Sequence, residues 1–197
     1  MNAIVLKPKP HAFANSIPDD QLYTEEGDNG YGREIEPHIT ALYGIKTTDC
    51  DTLNKALASF GPVKVTLGCI SAFERAEAAY DVLKVDVEGD DIHRLHHLIK
   101  ASTECDVKWP EYHPHLTIAY LRKGAARGYI GDTRFKGRGL TFPSVTFSPH
   151  TGDRVEIPLR MLDGSRTHDD QFGLVPEQAP SAQTGAASET QDANESY

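Results

Sequence analysis

The chain writes one spaced pattern twice. In "EPHITALYG" and again in "YHPHLTIAYL" the order is Pro-His-aliphatic-Thr-x-x-Tyr, matching Pro37 with Pro114, His38 with His115, Thr40 with Thr117 and Tyr43 with Tyr120. The two histidines lie 77 residues apart (115 less 38) in an otherwise unrepetitive sequence. Side chains alternate along a strand, so His38 and Thr40 share one face, about 6 to 7 Å apart, while Ile39, Ala41 and Tyr43 take the other. His115 and Thr117 repeat the arrangement against Leu116, Ile118 and Tyr120. Such a duplication predicts two related lobes about a pseudo-two-fold axis. Both His-Thr pairs then turn into the cleft between the lobes, and both apolar faces turn toward helices.

The intervening segments read as an α+β fold with largely antiparallel sheet. A short strand is predicted from Ile4 to Lys7, followed by a long loop crowded with Pro, Asp, Asn and Gly through "SIPDDQLYTEEGDNGYG". A strand from His38 to Tyr43 leads into "TTDCDTLNKALASFG", a capped helix that Gly61 and Pro62 close. Val63 to Ile70 and "AYDVLKVDVEG" read as neighbouring strands, "GDDIHRLHHLIKAS" as a helix with Ile92, Leu95, Leu98 and Ile99 on one stripe, and "HPHLTIAYL" as the next strand. "LTFPSVTFS" and "DRVEIPL", separated by "PHTG", read as a closing hairpin. From Gly164 the composition shifts to Ser, Gln, Ala, Thr and acids, so residues 1–163 are expected to form the domain and 164–197 an acidic disordered tail.

Composition excludes several classes. With 39% hydrophobic and 25% charged residues, and no run of about 18 apolar residues, the chain reads as an ordinary globular protein with no membrane span. "MNAIVLKPKPHAF" lacks the order and length of a secretory signal, which points to a cytoplasmic location. Cys50, Cys69 and Cys105 show no metal-knuckle or disulfide spacing and read as reduced thiols. The net charge is -9; from Asp163 onward seven acids against Arg166 account for -6, leaving -3 on the preceding residues. That balance disfavours a long nucleic acid and leaves room for a small anionic ligand. The absence of GxxxxGK[ST], GxGxxG and GxSxG removes nucleotide triphosphatases, dinucleotide enzymes and α/β-hydrolases.

Paired imidazoles suit attack on a phosphodiester. A neutral one removes a proton from water or a ribose hydroxyl, and a protonated one supplies a proton to the leaving oxygen, with no metal required. Thr40 and Thr117 can donate to non-bridging phosphate oxygens and hold the phosphorus between His38 and His115. His93, His96 and His97 have helical spacing but no matching carboxylate, and read as a solvated helix face rather than a metal site. His113 precedes Pro114 and borders the site.

These residues resemble the 2H phosphoesterase superfamily, marked by two His-x-[Thr/Ser] motifs in a bilobal, internally duplicated α+β fold; the resemblance spans roughly Met1 to Leu162. It implies that His38, Thr40, His115 and Thr117 are catalytic, that no cofactor is used, and that the substrate is a 2′,3′-cyclic phosphate, a 2′-5′ linkage or a small cyclic nucleotide. "IPDDQLYTEEGDNGYGREIEPHITALYG", "FERAEAAYDVLKVDV" and "HPHLTIAYL" are similar to phage-encoded members, among them anti-CBASS nucleases that degrade cyclic di- and trinucleotide signals in the host cytoplasm. That narrower resemblance implies a small cyclic oligonucleotide as substrate, with Phe73 and Trp109 as candidates to stack on its bases. A 2′-5′ RNA ligase-like or 2′,3′-cyclic phosphodiesterase activity on RNA ends is the alternative, and a nucleotide-sequestering protein a second.

Overall fold

The structure, a computed structural model, describes residues 2–8, 12–28, 30–107, 111–150 and 152–160. Trp109 and the tail expected over 164–197 lie outside the described residues. The strands are β1 (Asn2–Leu6), β2 (Ile39–Ile45), β3 (Val63–Glu74), β4 (Tyr80–Glu88), β5 (His115–Arg122), β6 (Gly139–Phe142), β7 (Ser144–Ser148) and β8 (Val155–Pro158), with helices α1 (Cys50–Leu57) and α2 (Asp90–Ser102). They form one antiparallel sheet in the order β6-β3-β4-β5-β2-β1-β7-β8. The fold is α+β, as the sequence indicates.

Both helices begin where local chemistry dictates. The Asp49 carboxylate accepts from the Asp51 N–H at 2.9 Å and caps α1, which buries Leu53 and Leu57. Gly89 precedes α2 at φ 146°, and a Cβ there would stand 2.9 Å from the Lys64 carbonyl, so only glycine fits this corner. From α2, Ile92, Leu95 and Ile99 join Leu53 and Leu57 in one core with Leu83, Val85, Ile39 and Phe147. Burying such aliphatic side chains contributes about 1.5 to 3 kcal/mol each.

The sheet divides into two matching halves, β6-β3-β4-β5 and β2-β1-β7-β8, which meet through the pair Ile39 and Leu116. The match extends to irregularities. On β2, Thr40 pairs with Val5 but Leu42 with Ile4, leaving Ala41 as an extra residue. On β5, Thr117 pairs with Lys84 but Ala119 with Leu83, leaving Ile118 extra. Both bulges fall one position after the threonine of the repeated pattern. A bulge reverses the alternation beyond it, so Tyr43 and Tyr120 lie on the same face as the histidines and threonines, not on the apolar face that simple alternation predicts. The spacing Thr-x-x-Tyr, rather than Thr-x-Tyr, is the mark of this extra residue.

The expected closing hairpin needs correction. β7 and β8 do pair, but "LTF" belongs to β6 at the far edge of the other half. Pro143 separates them and offers no N–H for a continuous ladder. Phe142 and Ser144 are bonded through a single residue yet sit in opposite halves of the sheet order, so the sheet curls until its margins meet. The Leu159 N–H closes this seam on the Pro143 carbonyl at 2.8 Å.

The stretch read as a long loop is also more ordered than its composition suggests. Beyond Leu116, β5 has lost β2 as a neighbour, and this segment takes over its free edge through bridges of Arg33 to Ala119 and Leu22 to Leu121. Short 3-10 turns at Ala12–Ser16 and Asp19–Gln21 lead into it.

Candidate active site

His38 and His115 are held by the same device. In each copy the ring Nδ1–H donates to the backbone carbonyl two residues upstream, His38 to Glu36 at 2.9 Å and His115 to His113 at 2.7 Å. A carbonyl only accepts, so Nδ1 carries a proton and Nε2 is the nitrogen left to meet a ligand in both rings. The intervening Pro37 and Pro114 have φ fixed near -65°, which turns the carbonyl before them back toward the ring. The repeated proline thereby acquires a function: it orients the imidazole that follows.

The pair Ile39 and Leu116 fixes how the two copies face each other. Antiparallel register through that pair sets His38 beside Thr117 and Thr40 beside His115, so a local two-fold axis passes between Ile39 and Leu116. His38 and His115 are diagonal neighbours, whose Cα atoms stand roughly 7 to 8 Å apart. The four polar side chains are half-buried on one face, while Ile39 and Leu116 are buried in the core behind them.

The environment of His115 is the more elaborate. Across from it, Asp86 of β4 shares its face with Lys84, and Ser71 of β3 lies opposite Lys84. The Lys84 ammonium donates to Ser71 Oγ at 2.7 Å and to Asp86 Oδ1 at 2.5 Å, and the Ser71 hydroxyl donates to Asp86 Oδ1 at 2.6 Å. Lys84 is only 6% exposed, which demands such partners. Phe73 lies with its ring 4.9 Å from that of His115, edge to face, and 4.5 Å from the Lys84 Nζ. Burial pushes the His115 imidazole below its ordinary value; the Lys84 and His38 charges push the same way, and the carbonyl of His113 and the Asp86 carboxylate oppose them. Burial pushes the Asp86 carboxyl up, but hydrogen bonds from Lys84 and Ser71 outweigh it and hold the group below the usual carboxylate range.

Applying the two-fold register to the other half exposes an asymmetry. Val5 occupies the place of Lys84, Thr146 that of Ser71 and Ser148 that of Phe73. Near His38, Glu36 instead pairs with Arg154 at 2.5 Å and with Lys7 at 3.8 Å. The hydrogen bond and charge of Arg154 hold Glu36 below its ordinary value. The backbones are duplicated, but the electrostatics around the two imidazoles are not.

Support from behind comes from α2. His96 was expected on a solvated face, yet it is 6% exposed: its Nδ1–H donates to the Ala41 carbonyl at 2.8 Å and its ring stacks on Tyr112 at 4.0 Å. Tyr112 in turn donates to the Thr40 carbonyl at 2.9 Å. These carbonyls belong to β2 where it leaves β5, and Pro114 has no N–H to offer them. His96 and Tyr112 satisfy that edge. Burial pushes the His96 pKa down and the Tyr112 pKa up, so both stay neutral. His93 and His97 are exposed, and among the described residues no group of three His, Cys, Asp or Glu side chains converges to hold a metal.

Of the residues singled out by sequence, His38, Thr40, His115, Thr117 and Phe73 come together, and Trp109 lies outside the described residues. The side chain of His113 points to Glu111 at 3.2 Å, leaving only its carbonyl in contact with His115. Sequence reasoning missed Lys84, Asp86 and Ser71. The signal was a lysine at an interior position of an apolar strand, in "YDVLKVDVE".

No curated protein matches the sequence. In fold the chain is similar to Usb1 of Kluyveromyces marxianus, with a TM-score of 0.51 at 10% identity over 80% of this chain and 97% of that one. It is similar also to the protein TT0787 of Thermus thermophilus, with a TM-score of 0.50 at 14% identity over 81% of this chain and 97% of that one. At these identities the likeness is one of fold: a curled, mostly antiparallel sheet with two helices. The model of the 2′-5′ RNA ligase superfamily matches residues 8–134, and the chain belongs to that superfamily.

Proposed function

We propose that the protein is a phosphodiesterase that works by paired imidazoles without a metal ion, and that its substrates are small cyclic oligonucleotides. The carrying observation is the matched anchoring of His38 and His115 by Nδ1 on backbone carbonyls, astride the Ile39 and Leu116 pair. His115, pushed toward its neutral form, takes the proton of an attacking water or ribose hydroxyl. The new oxygen–phosphorus bond forms on one side of the phosphorus as the bond to the leaving oxygen breaks on the other. Protonated His38 gives its Nε2 proton to that leaving oxygen. The Thr40 and Thr117 hydroxyls donate to the non-bridging oxygens as negative charge develops. Phe73, beside His115, offers a face on which a base can stack.

The residues before Asp163 carry -3 of the -9 and write no extended basic track of the kind an RNA polymer needs, which favours a compact ligand. Similarity of the segments around both motifs to phage anti-CBASS nucleases supports a counter-defence role, the removal of cyclic di- and trinucleotide signals. Membership of the 2′-5′ RNA ligase superfamily favours the second reading, action on 2′,3′-cyclic phosphates or 2′-5′ linkages at RNA ends. Incubation in EDTA with cyclic dinucleotides, cyclic trinucleotides, 2′-5′ oligoadenylate and nucleoside 2′,3′-cyclic phosphates separates them. Cleavage confined to the last two substrates overturns the cyclic-oligonucleotide reading, and recovery of every ligand intact supports sequestration.

A further inference from the structure

Four tyrosines form a patch that the chemistry above does not use. Tyr80 of β4 is in regular alternation with Lys84 and Asp86, and Tyr120 is opposite Val82 on the same face, turned there by the bulge at Ile118. Tyr23 and Tyr31 arrive from the segment along the free edge of β5. The rings are in mutual contact: 5.1 Å for Tyr23 and Tyr31, 5.2 Å for Tyr23 and Tyr80, 5.1 Å for Tyr31 and Tyr80, 5.4 Å for Tyr31 and Tyr120, and 5.5 Å for Tyr80 and Tyr120. All four are half-buried rather than sealed in the core.

We infer that these tyrosines are a second base-binding platform, on the opposite side of Thr117 from His115. The inference rests on the reading of the His-Thr pairs as a phosphate site. Along β5 the order is His115, Thr117, Tyr120, and three residues of strand span roughly 9 to 10 Å, the scale of one nucleoside attached to a phosphate at Thr117. Phe73 is rooted on β3 opposite Val82, two strands from Tyr120, and carries its ring to 4.9 Å from that of His115. Two separate aromatic surfaces, one against His115 and one beyond Thr117, fit an internucleotide linkage with a base on each, and leave one platform idle for a nucleoside 2′,3′-cyclic phosphate.

The platform is fixed in place. The Tyr23 N–H donates to the Tyr120 carbonyl at 3.0 Å, and the Tyr120 N–H to the Gly32 carbonyl at 2.7 Å. Next to Gly32, the Arg33 guanidinium donates to the Ala14 carbonyl at 2.9 Å, to the Ile17 carbonyl and to Asp19. Burial, the largest cause for each, raises the Tyr23, Tyr31 and Tyr120 hydroxyls above their ordinary value, so the rings meet a base in neutral form.

Calorimetry of the linear dinucleotide adenylyl-(3′-5′)-adenosine on the His115→Asn protein tests this without turnover. Stacking worth about 1 to 3 kcal/mol per base predicts a loss of about 5- to 150-fold in affinity for Tyr31→Leu and for Tyr80→Leu. The loss is expected to vanish for a dinucleotide whose 3′ or 5′ ribose is abasic. Unchanged affinity in the folded tyrosine variants overturns the inference, as does absence of dinucleotide binding. Base-dependent binding by His115→Asn with no cleavage of any phosphodiester by the unaltered protein defeats the proposed function and leaves the platform standing.

Discussion

Ile39 lies directly opposite Leu116, and the two His-x-Thr motifs are arranged symmetrically about that contact. Both residues are buried, so the position of each imidazole relative to the other is set by core packing rather than by a surface loop. In the proposed mechanism, preorganisation of this kind would let two proton-transfer groups act on one phosphorus without a conformational search.

In the proposed mechanism each imidazole carries one proton transfer. His38→Ala and His115→Ala are each expected to lower turnover by about 10² to 10⁴. The double variant is expected to lose much less than the product of the two, because the residues act as a unit. Steady-state rates on a cleaved cyclic dinucleotide, with EDTA present, measure both effects.

Lys84 and Asp86 bias His115 in opposite directions, and the signs give a pH signature. His115 sits below the ordinary imidazole value of 6.5, so the acidic limb of kcat/KM is expected below that pH. Lys84→Met removes a positive neighbour, raises the imidazole pKa and moves the limb to higher pH. Asp86→Asn removes the opposing carboxylate and moves it lower. Limbs that stay in place in both variants assign the base elsewhere.

His96 links folding to acidity. Its folded pKa is depressed from 6.5 by burial, so at pH below about 6.5 the unfolded chain binds a proton the folded chain refuses, and stability falls as the pH drops. At neutral pH and above the penalty is absent. His96→Gln is expected to narrow the difference in melting temperature between pH 7.5 and 5.5, measured by differential scanning calorimetry.

Tyr112→Phe keeps the stack on His96 and deletes the bond to the Thr40 carbonyl. A lost hydrogen bond of this type costs about 1 kcal/mol, or roughly 2 to 4 °C in Tm for a chain of this size. Because Thr40 is the residue released, kcat is expected to fall with KM less affected. A loss of stability with unchanged kcat separates β2 anchoring from catalysis.

Much of this arrangement is legible in the sequence because strand alternation and the repeated motif are local signals. The shared face of His38, Thr40, His115 and Thr117 follows from period-two spacing, and both helices follow from apolar stripes, with an aspartate cap at α1 and an uncapped glycine corner before α2. What escapes is the consequence of pairing between distant strands. The bulges at Ala41 and Ile118 exist only relative to β1 and β4, so Tyr43 and Tyr120 are assigned to the wrong face by alternation alone. The buried place of His96 depends on the carbonyl of Ala41, 55 residues earlier in the chain. The division at Pro143 depends on which edge each half-strand joins, and "LTFPSVTFS" carries no sign of that choice.

The seam at Pro143 has one more effect. The two halves are tethered at opposite margins, by the Ile39 and Leu116 contact at one and by a single residue of chain at the other. Clamshell opening about either tether is blocked by the remaining one. On the proposed function, substrate and product would exchange across a largely rigid surface, so turnover is expected to depend weakly on solvent viscosity unless product diffusion itself is limiting.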